Sequence, residues 1–292
     1  MTRRVNDCHN RGMELEKKLW PDRLKKIRPR LKNLYYKGNI DLLFDTLPKL
    51  AVVGSRRMSD YGKRIIEKWV ELMAGRGVEI VSGFMYGVDQ AAHKTCVDSG
   101  GKTIAVLGWG IDRQVAGMDE KLYRKILEGD GLIVSEYPDA VPADRWTFPA
   151  RNRIVVGLSD VIWVVEGAVS SGSMITARLG REMGKKVLAL PGQVGVKVAE
   201  GVNSLIKNGK AEMALSVNDL YEALGMEKGQ MKMNFGGKND SKVIALLQSG
   251  PRTTDEMVRI LNISVTELMA ELAYLGLMGM VEESEGKYCA VV

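Results

Sequence analysis

Short apolar runs alternate with amphipathic helical patterns along the chain from residue 50 to residue 190. The runs are rich in β-branched and aliphatic side chains, as strands buried on both faces are. The helical pattern over 61–77 ends at Gly75 and Gly77, which are typical stop signals. This alternation predicts an α/β fold with a doubly wound, mostly parallel sheet. The predicted strands are 50–53, 78–81, 103–107, 132–135, 161–165 and 187–190.

The pattern changes near the C-terminus. Residues 225–239 contain Gly, Lys and Met without periodicity, which indicates a linker. Residues 240–292 show three short helical patterns, the third over 264–275, followed by a β-hairpin pattern, and this order is the outline of a winged helix. We therefore predict a short basic N-terminal arm (1–40), a doubly wound domain (41–224), the linker and a C-terminal winged-helix domain.

Composition restricts the class of protein. The chain has 292 residues, of which 45% are hydrophobic and 27% charged, and this balance is typical of a globular protein rather than a disordered one. No run of 18 apolar residues and no secretory signal are visible, so we expect a cytoplasmic protein without a membrane partner. The three cysteines lie far apart without a CxxC motif, which predicts neither a disulfide framework nor a metal site.

Charge is distributed unevenly along the chain. Residues 1–50 hold 13 Lys and Arg against 6 acidic residues, and residues 240–292 hold 4 against 8. A basic N-terminal segment suits an acidic partner such as nucleic acid, although a solvated helix face has the same composition. The acidic winged helix opposes binding to phosphates, so for that domain we favour a protein-interaction or autoregulatory role.

Several glycine- and hydroxyl-rich turns follow the predicted strands. Gly54, Ser55 and Arg56 follow the first strand, 82–93 follows the second, and 171–178 follows the fifth. The carboxyl ends of parallel strands share one edge of the sheet, so these turns together predict an anion-binding face. Each turn alone is also explained by strand ends and helix caps. Neither GxGxxG nor GxxxxGK[ST] is present, so dinucleotide and P-loop sites are not indicated.

A stretch before the fifth predicted strand, 144–160, combines arginines with aromatic residues. Its members are Arg145, Trp146, Phe148, Arg151 and Arg153. Rings for stacking and guanidinium groups for phosphates are what a single strand requires. Alternatively, the rings pack this loop onto the core while Pro149 starts a helix at its first position. We favour the packing role for Trp146 and leave both roles open for Phe148.

These motifs together resemble the DNA processing protein A family (DprA, also called Smf), the recombination mediators of natural transformation. The matching segments are 51–56, 82–93, 103–112, 135–138, 148–159, 164–178, 188–192 and 201–209. The resemblance implies an extended Rossmann-like sheet and non-enzymatic binding of single-stranded DNA, with weaker binding of duplex DNA. It also implies loading of the RecA recombinase during DNA uptake and homologous recombination, a homodimer, no cofactor and no catalytic residue.

The resemblance also implies a set of DNA-binding residues. Arg56 would contact phosphate, Gly83–Gly87 would shape the floor of the pocket, and Phe148 would stack on a base. Asn152 and Arg153 could instead hold their segment to the sheet. The full set is Arg56, Ser82, Gly83, Gly87, Phe148, Arg151, Asn152, Arg153, Ser171, Gly172, Ser173 and Thr176.

An enzyme on a related fold is the alternative. Nucleoside-monophosphate phosphoribohydrolases of the lonely-guy type carry PGGxGTxxE after a late strand, and this chain has PGQVGVKVAE at 191–200. Ala199 stands where the motif has Glu, and Glu200 follows one residue late, which would misplace a catalytic carboxylate. The family resemblance is also imperfect at 201–203, where Gly-Val-Asn replaces Gly-Thr-Asn. A small-nucleotide sensor using the same turns is a third possibility.

Overall fold

The computed structural model describes residues 11–115, 118–227, 242–247 and 249–261, and from there 263–265, 268–269, 271–272, 275, 281–284 and 286–290. The chain divides into two compact units, Met1–Gly229 and Gln230–Val292. From residue 228 onward, the predicted linker lies outside the described residues.

A nine-stranded sheet forms the centre of the first unit, with the order β1-β2-β6-β5-β4-β3-β7-β8-β9. All pairs from β6 to β9 are parallel, whereas β1 and β2 run antiparallel at one edge. All six predicted strands are present, so the predicted fold class is confirmed. The strands are β1 Met13–Glu14, β2 Tyr35–Gly38, β3 Lys49–Val53, β4 Glu79–Ser82, β5 Thr103–Leu107, β6 Leu132–Ser135, β7 Val161–Val164, β8 Lys186–Ala189 and β9 Glu212–Met213.

Helices cover both faces of the sheet because alternate residues of each buried strand point to opposite sides. In β3, Ala51 and Val53 join the core beneath α5 to α7, while Leu50 and Val52 join the core beneath α2, α3 and α8. The helices are α1 Asp22–Lys25, α2 Asp60–Ala74, α3 Val88–Asp98, α4 Met118–Glu128, α5 Thr147–Leu158, α6 Gly172–Glu182, α7 Lys197–Lys207 and α8 Val217–Ala223. Short 3₁₀ helices occupy Lys17–Leu19 and Ile40–Leu43. No helix in the described part of the chain is long and apolar enough to cross a bilayer.

The N-terminal segment differs from the predicted basic arm. Its described part is built into the first unit, because β2 pairs antiparallel with β6 and extends the sheet. The reason lies in apolar residues interleaved with the charges: Leu24, Ile27 and Leu34 are at most 1% exposed. Ile27 packs against α5 at Gly157, where a Cβ would lie 2.4 Å from the Ile27 Cδ1 atom. The basic residues of this segment therefore belong to a layer that is packed on the first unit, and not to a free arm.

The arginine–aromatic stretch also differs from its prediction, because most of it is helix α5 rather than loop. Trp146 is the N-cap, and Pro149 occupies the third helical position instead of the first. A proline is tolerated there because the first-turn N–H groups have no intrahelical acceptor. The predicted packing role of Trp146 is wrong, since its side chain is 80% exposed.

The second unit has the outline of a winged helix. Helices α9 (Lys242–Leu247) and α10 (Thr254–Leu261) precede the antiparallel hairpin of β10 (Val281–Ser284) and β11 (Lys287–Ala290). The third predicted helix, 264–275, lies only partly within the described residues. The unit has its own core, formed by Val243, Leu247, Met257, Leu268, Leu272, Leu275 and Val281.

Candidate functional site

The strand order creates a crevice at β3. From β3 the chain proceeds through β4 and β5 to β6 on one side, and then crosses to β7 on the other side of β3. Helices before and after such a switch lie on opposite faces, so the turns beyond the carboxyl ends of the strands separate and leave a ligand site. A cavity of about 590 Å³ opens at this point. Its walls are the turns after β3, β4 and β7 and the first turns of α5, α6 and α7.

Most of the predicted DNA-binding residues meet in this cavity. Nine of the twelve line its wall, although they come from four separate segments of the chain. These nine are Arg56, Gly83, Phe148, Arg151, Asn152, Ser171, Gly172, Ser173 and Thr176. The remaining three, Ser82, Gly87 and Arg153, do not line it.

Arg153 is a structural residue of helix α5. Its Nη2 atom donates to both carboxylate oxygens of Glu136 at 2.7 Å, and Nε donates to the Pro29 carbonyl at 3.0 Å. Its Nη1 atom donates to the Ala150 carbonyl at 2.6 Å. Arg153 and Glu136 are 6% and 9% exposed. A guanidinium committed in this way holds the N-terminal segment to α5 and is not available to a ligand.

Ser82 and Gly87 shape the floor of the cavity from below. The Ser82 hydroxyl donates to the Val52 carbonyl at 2.6 Å and thereby links the ends of β3 and β4. Gly87 precedes α3 with a φ of 81°, and a Cβ there would lie 2.3 Å from the Ser55 carbonyl oxygen. Only glycine permits this backbone and this approach, so Gly87 brings the two turns together.

Arg151 forms the deepest charge of the cavity. It is 4% exposed, and its Nη1 atom donates to the Val106 carbonyl at 2.6 Å. The guanidinium lies directly over Gly83, where a Cβ would be 1.8 Å from Nη1. Asp89, also at the wall, is buried beside it. Burial raises the pKa of the Asp89 carboxyl, and the charge of Arg151 opposes that shift.

Phe148 carries an arginine on its ring. The Arg56 Cζ atom lies 5.2 Å from the ring centroid, which is a cation–π arrangement. Trp109 contacts the same ring edge-to-face at 6.3 Å, and Gly108 packs so closely that a Cβ would lie 2.8 Å from the Phe148 Cδ1 atom. Phe148 therefore places Arg56 over the cavity, and a base can stack on the covered face only after Arg56 moves.

Helix α6 begins at the wall of the cavity. Ser171 is its N-cap, and its side chain accepts from the Ser173 N–H at 3.3 Å. The Ser171 and Ser173 hydroxyls are 2.8 Å apart. The N-terminus of a helix carries a partial positive charge, so this end favours an anion in the cavity.

Three cations of the cavity were not among the predicted site residues: Arg57, Arg145 and Lys197. Arg57 directly follows the predicted residue Arg56, and Lys197 begins the helix after the turn that follows β8. Both residues could therefore have been predicted from their positions after the ends of strands. With Arg56 and Arg151 they make five cations, against Asp89 as the one lining carboxylate among the described residues.

The enzyme motif does not place a carboxylate in the cavity. Glu200 is exposed on α7, whereas Ala199, at the position of the motif glutamate, is 3% exposed. In the Gly-Val-Asn segment, Asn203 clamps Gly192 by accepting from its N–H at 3.0 Å and donating to its carbonyl at 2.9 Å. Val202 is fully buried, so the replaced hydroxyl falls in the core and not at the cavity.

His93 is a core residue. Its Nδ1 atom lies 2.7 Å from the Thr103 hydroxyl, which itself donates to the Ile80 carbonyl at 2.7 Å. The hydroxyl proton is thus used, so His93 donates from Nδ1. Burial lowers the pKa of His93 to about 3. Over the described residues, no group of three His, Cys, Asp or Glu side chains could hold a metal ion.

The fold and this cavity define an α/β protein that has a cation-lined cavity at the switch point of its sheet and carries a winged helix. Sequence comparison gives the family: a family model for DNA recombination-mediator protein A matches residues 12–225, and one for the DprA winged helix domain matches residues 238–287. The chain belongs to the DNA recombination-mediator protein A family.

Three similar proteins support this assignment. Protein Smf of Synechocystis is 32% identical over 87% of this chain and 73% of its own length. Protein Smf of Escherichia coli is 44% identical over 60% of this chain, which spans only 46% of that relative. DNA processing protein A of Helicobacter pylori, whose structure was described for its single-stranded DNA binding mode, superimposes with a TM-score of 0.67. That structure is 30% identical and covers 74% of this chain and 97% of its own.

Proposed function

We propose that the protein binds single-stranded DNA in the cavity at the switch point of the sheet. The observation that carries this proposal is the charge of the cavity wall at the carboxyl ends of the strands. Five cationic side chains line it, against one carboxylate among the described residues. Lysine and arginine side chains that neutralise phosphates supply most of the affinity for a nucleic-acid backbone. The helix α6 N-terminus adds donors for a further phosphate. The relative from Helicobacter pylori was described for its single-stranded DNA binding mode, which supports the same ligand here.

The cavity favours a single strand over duplex DNA. Arg151 lies at its floor, 4% exposed, so a phosphate or base must enter the crevice to approach that charge. A single strand can bend into such a crevice, while the rigid duplex meets only the cations at the rim. Weaker binding of duplex DNA follows. Of the nine predicted residues that line the cavity, Phe148 is proposed to position Arg56, and the other eight are proposed to contact DNA. Arg57, Arg145 and Lys197 are proposed to contact DNA as well.

We further propose that the bound strand is handed to the RecA recombinase during DNA uptake and homologous recombination, and that the protein acts as a homodimer without catalysis. Membership of a family of recombination mediators supports this role. Glu200 does not line the cavity, which argues against the phosphoribohydrolase alternative, because that reaction needs the carboxylate of its motif at the bound nucleotide. The winged helix, with exposed Glu282 and Glu283 on its hairpin, is proposed to contact protein rather than DNA.

Binding of labelled oligo-dT, followed by fluorescence anisotropy across a salt series, tests the cavity. For single strands, log K falls by about 0.7 per neutralised phosphate for each unit of log salt concentration. If all five cations contact phosphates, the slope is roughly −3.5, and Arg56→Ala reduces it by about 0.7. Lys186→Ala is the matched control, since this exposed lysine begins β8 at the opposite edge.

Two outcomes are decisive for this proposal. Equal weakening by both substitutions would mean that the strand does not use the cavity. Absence of binding by the wild-type protein at low salt would overturn the proposal, and nucleoside monophosphates would then be tested as ligands and substrates.

A further inference from the structure

Trp146 is the most exposed aromatic residue in the described part of the chain, at 80%. Among the described residues, its ring has no stacking partner and its indole N–H has no acceptor. Its neighbours Arg145 and Phe148 both line the cavity, so Trp146 stands at the rim. Tryptophan is usually largely buried because its apolar area is large. An exposed tryptophan without a stacking partner, beside a cationic cavity, therefore suits a ligand that carries a flat ring and can stack on the indole.

The ring inside the cavity is poorly placed for that task. Arg56 covers one face of Phe148, and Trp109 and Gly108 contact the ring from other sides. Binding of single strands combines backbone-tracking cations with open aromatic faces on which bases stack. In this region the cations lie in the cavity, and the open face lies at Trp146.

The spacing allows one strand to use both features. Trp146 and Phe148 are two residues apart, so their Cα atoms are at most about 7 Å apart. A strand whose phosphates lie on the cavity cations can therefore present a neighbouring base to the rim. Arg145, next to Trp146 and itself lining the cavity, is placed to hold the connecting phosphate.

We propose that Trp146 is a base-stacking platform at the rim, and that it takes a base of the single strand just outside the cavity. This inference rests on the proposed function. The occupant is a nucleobase of a strand already held by its phosphates, because the charge beside the ring is positive. The stacking is tolerant of sequence, since every base has a π-face.

The test compares Trp146→Ala, Trp146→Phe and Phe44→Ala in the full chain, with oligo-dT as the probe. Loss of one stacking platform lowers affinity by about 5- to 150-fold, whereas phenylalanine keeps a ring and loses less. The salt slope stays at the wild-type value, because no charge is removed. Phe44, 48% exposed ahead of β3 and thus at the opposite edge, is the matched control and leaves affinity unchanged.

Tryptophan emission gives a second readout. Three of the other four tryptophans are buried: Trp20, Trp69 and Trp163. Stacking on the exposed ring quenches emission when the strand binds, and Trp146→Phe abolishes most of that quenching while anisotropy still reports binding.

Two results would overturn the inference without touching the proposed function. They are wild-type affinity in Trp146→Ala and unchanged quenching in Trp146→Phe. If wild-type affinity of Trp146→Ala comes with a changed oligomeric state, the ring is assigned to a second copy of the chain. Failure of the wild-type protein to bind oligo-dT would instead overturn the proposed function, and the inference with it.

Discussion

The buried ion pair of Arg153 and Glu136 allows a prediction that distinguishes an effect on stability from an effect on DNA binding. Substitution of Arg153 by Ala removes two hydrogen bonds of 2.7 Å to Glu136 and leaves that carboxylate 9% exposed without its countercharge. Removing one partner of a buried ion pair typically costs about 3–5 kcal/mol, because the remaining charge is stranded. For a unit of this size, about 2–4 °C in Tm accompanies each kcal/mol, so we expect a loss of roughly 6–20 °C.

The assay is urea unfolding followed by circular dichroism, together with oligo-dT binding at a temperature where both proteins are folded. Arg153→Ala lowers the free energy of unfolding by about 3–5 kcal/mol and changes oligo-dT affinity by less than about twofold, because no phosphate contact is lost. The double variant Arg153→Met with Glu136→Gln recovers part of the stability. It strands no charge, and the glutamine still accepts from the Lys32 N–H, now 3.0 Å from a Glu136 oxygen.

The opposite pattern would refute this reasoning. If Arg153→Ala unfolds at the wild-type urea concentration while binding oligo-dT more than tenfold more weakly, then Arg153 contacts DNA and its pairing with Glu136 contributes little to stability.

Two further predictions concern the cavity floor and pH. Gly83→Ala destabilises the protein by about 1–3 kcal/mol and weakens oligo-dT binding, because its Cβ would displace Arg151 from the Val106 carbonyl. Gly172→Ala has open space and stays within about 0.5 kcal/mol of wild type in the same urea titration. The pKa of His93 is depressed to about 3, so the unfolded state binds a proton below pH 6.5 that the folded state does not. Between pH 7 and pH 5, wild type therefore loses about 2 kcal/mol more stability than His93→Gln, and equal losses in the two proteins would contradict a buried neutral imidazole.

The sheet could be predicted because its central strands are buried on both faces. Runs such as VIWVV at 161–165 are apolar throughout, and that signal survives without any knowledge of their neighbours. The position of the cavity followed from the turns after those strands, since parallel strands end at one edge. By contrast, β2 reads Tyr-Tyr-Lys-Gly, a short strand between β1 and β6 with no continuous apolar run, and only its pairing identifies it.

The roles of individual side chains in α5 could be assigned only from the structure. Arg151 and Arg153 look equivalent in a loop, but on a helix two residues differ by about 200°. One guanidinium therefore reaches the cavity floor, and the other faces the N-terminal segment and Glu136. Trp146 is exposed, contrary to its predicted packing role, for a related reason: the helix begins at Thr147, so Trp146 remains outside its first turn.

The pairing of β2 with β6 has a consequence for synthesis of the protein. Residues Tyr35–Gly38 leave the ribosome long before Leu132–Ser135, with which they pair. Gly157, against which Ile27 packs, is synthesised later still. At about 5–20 residues per second, the delay is on the order of 5–20 s. Throughout that interval the nascent chain carries an apolar, basic segment that has no docking surface. The N-terminal segment is thus translated before the strand and helix on which it packs, and it can fold only after both have been made.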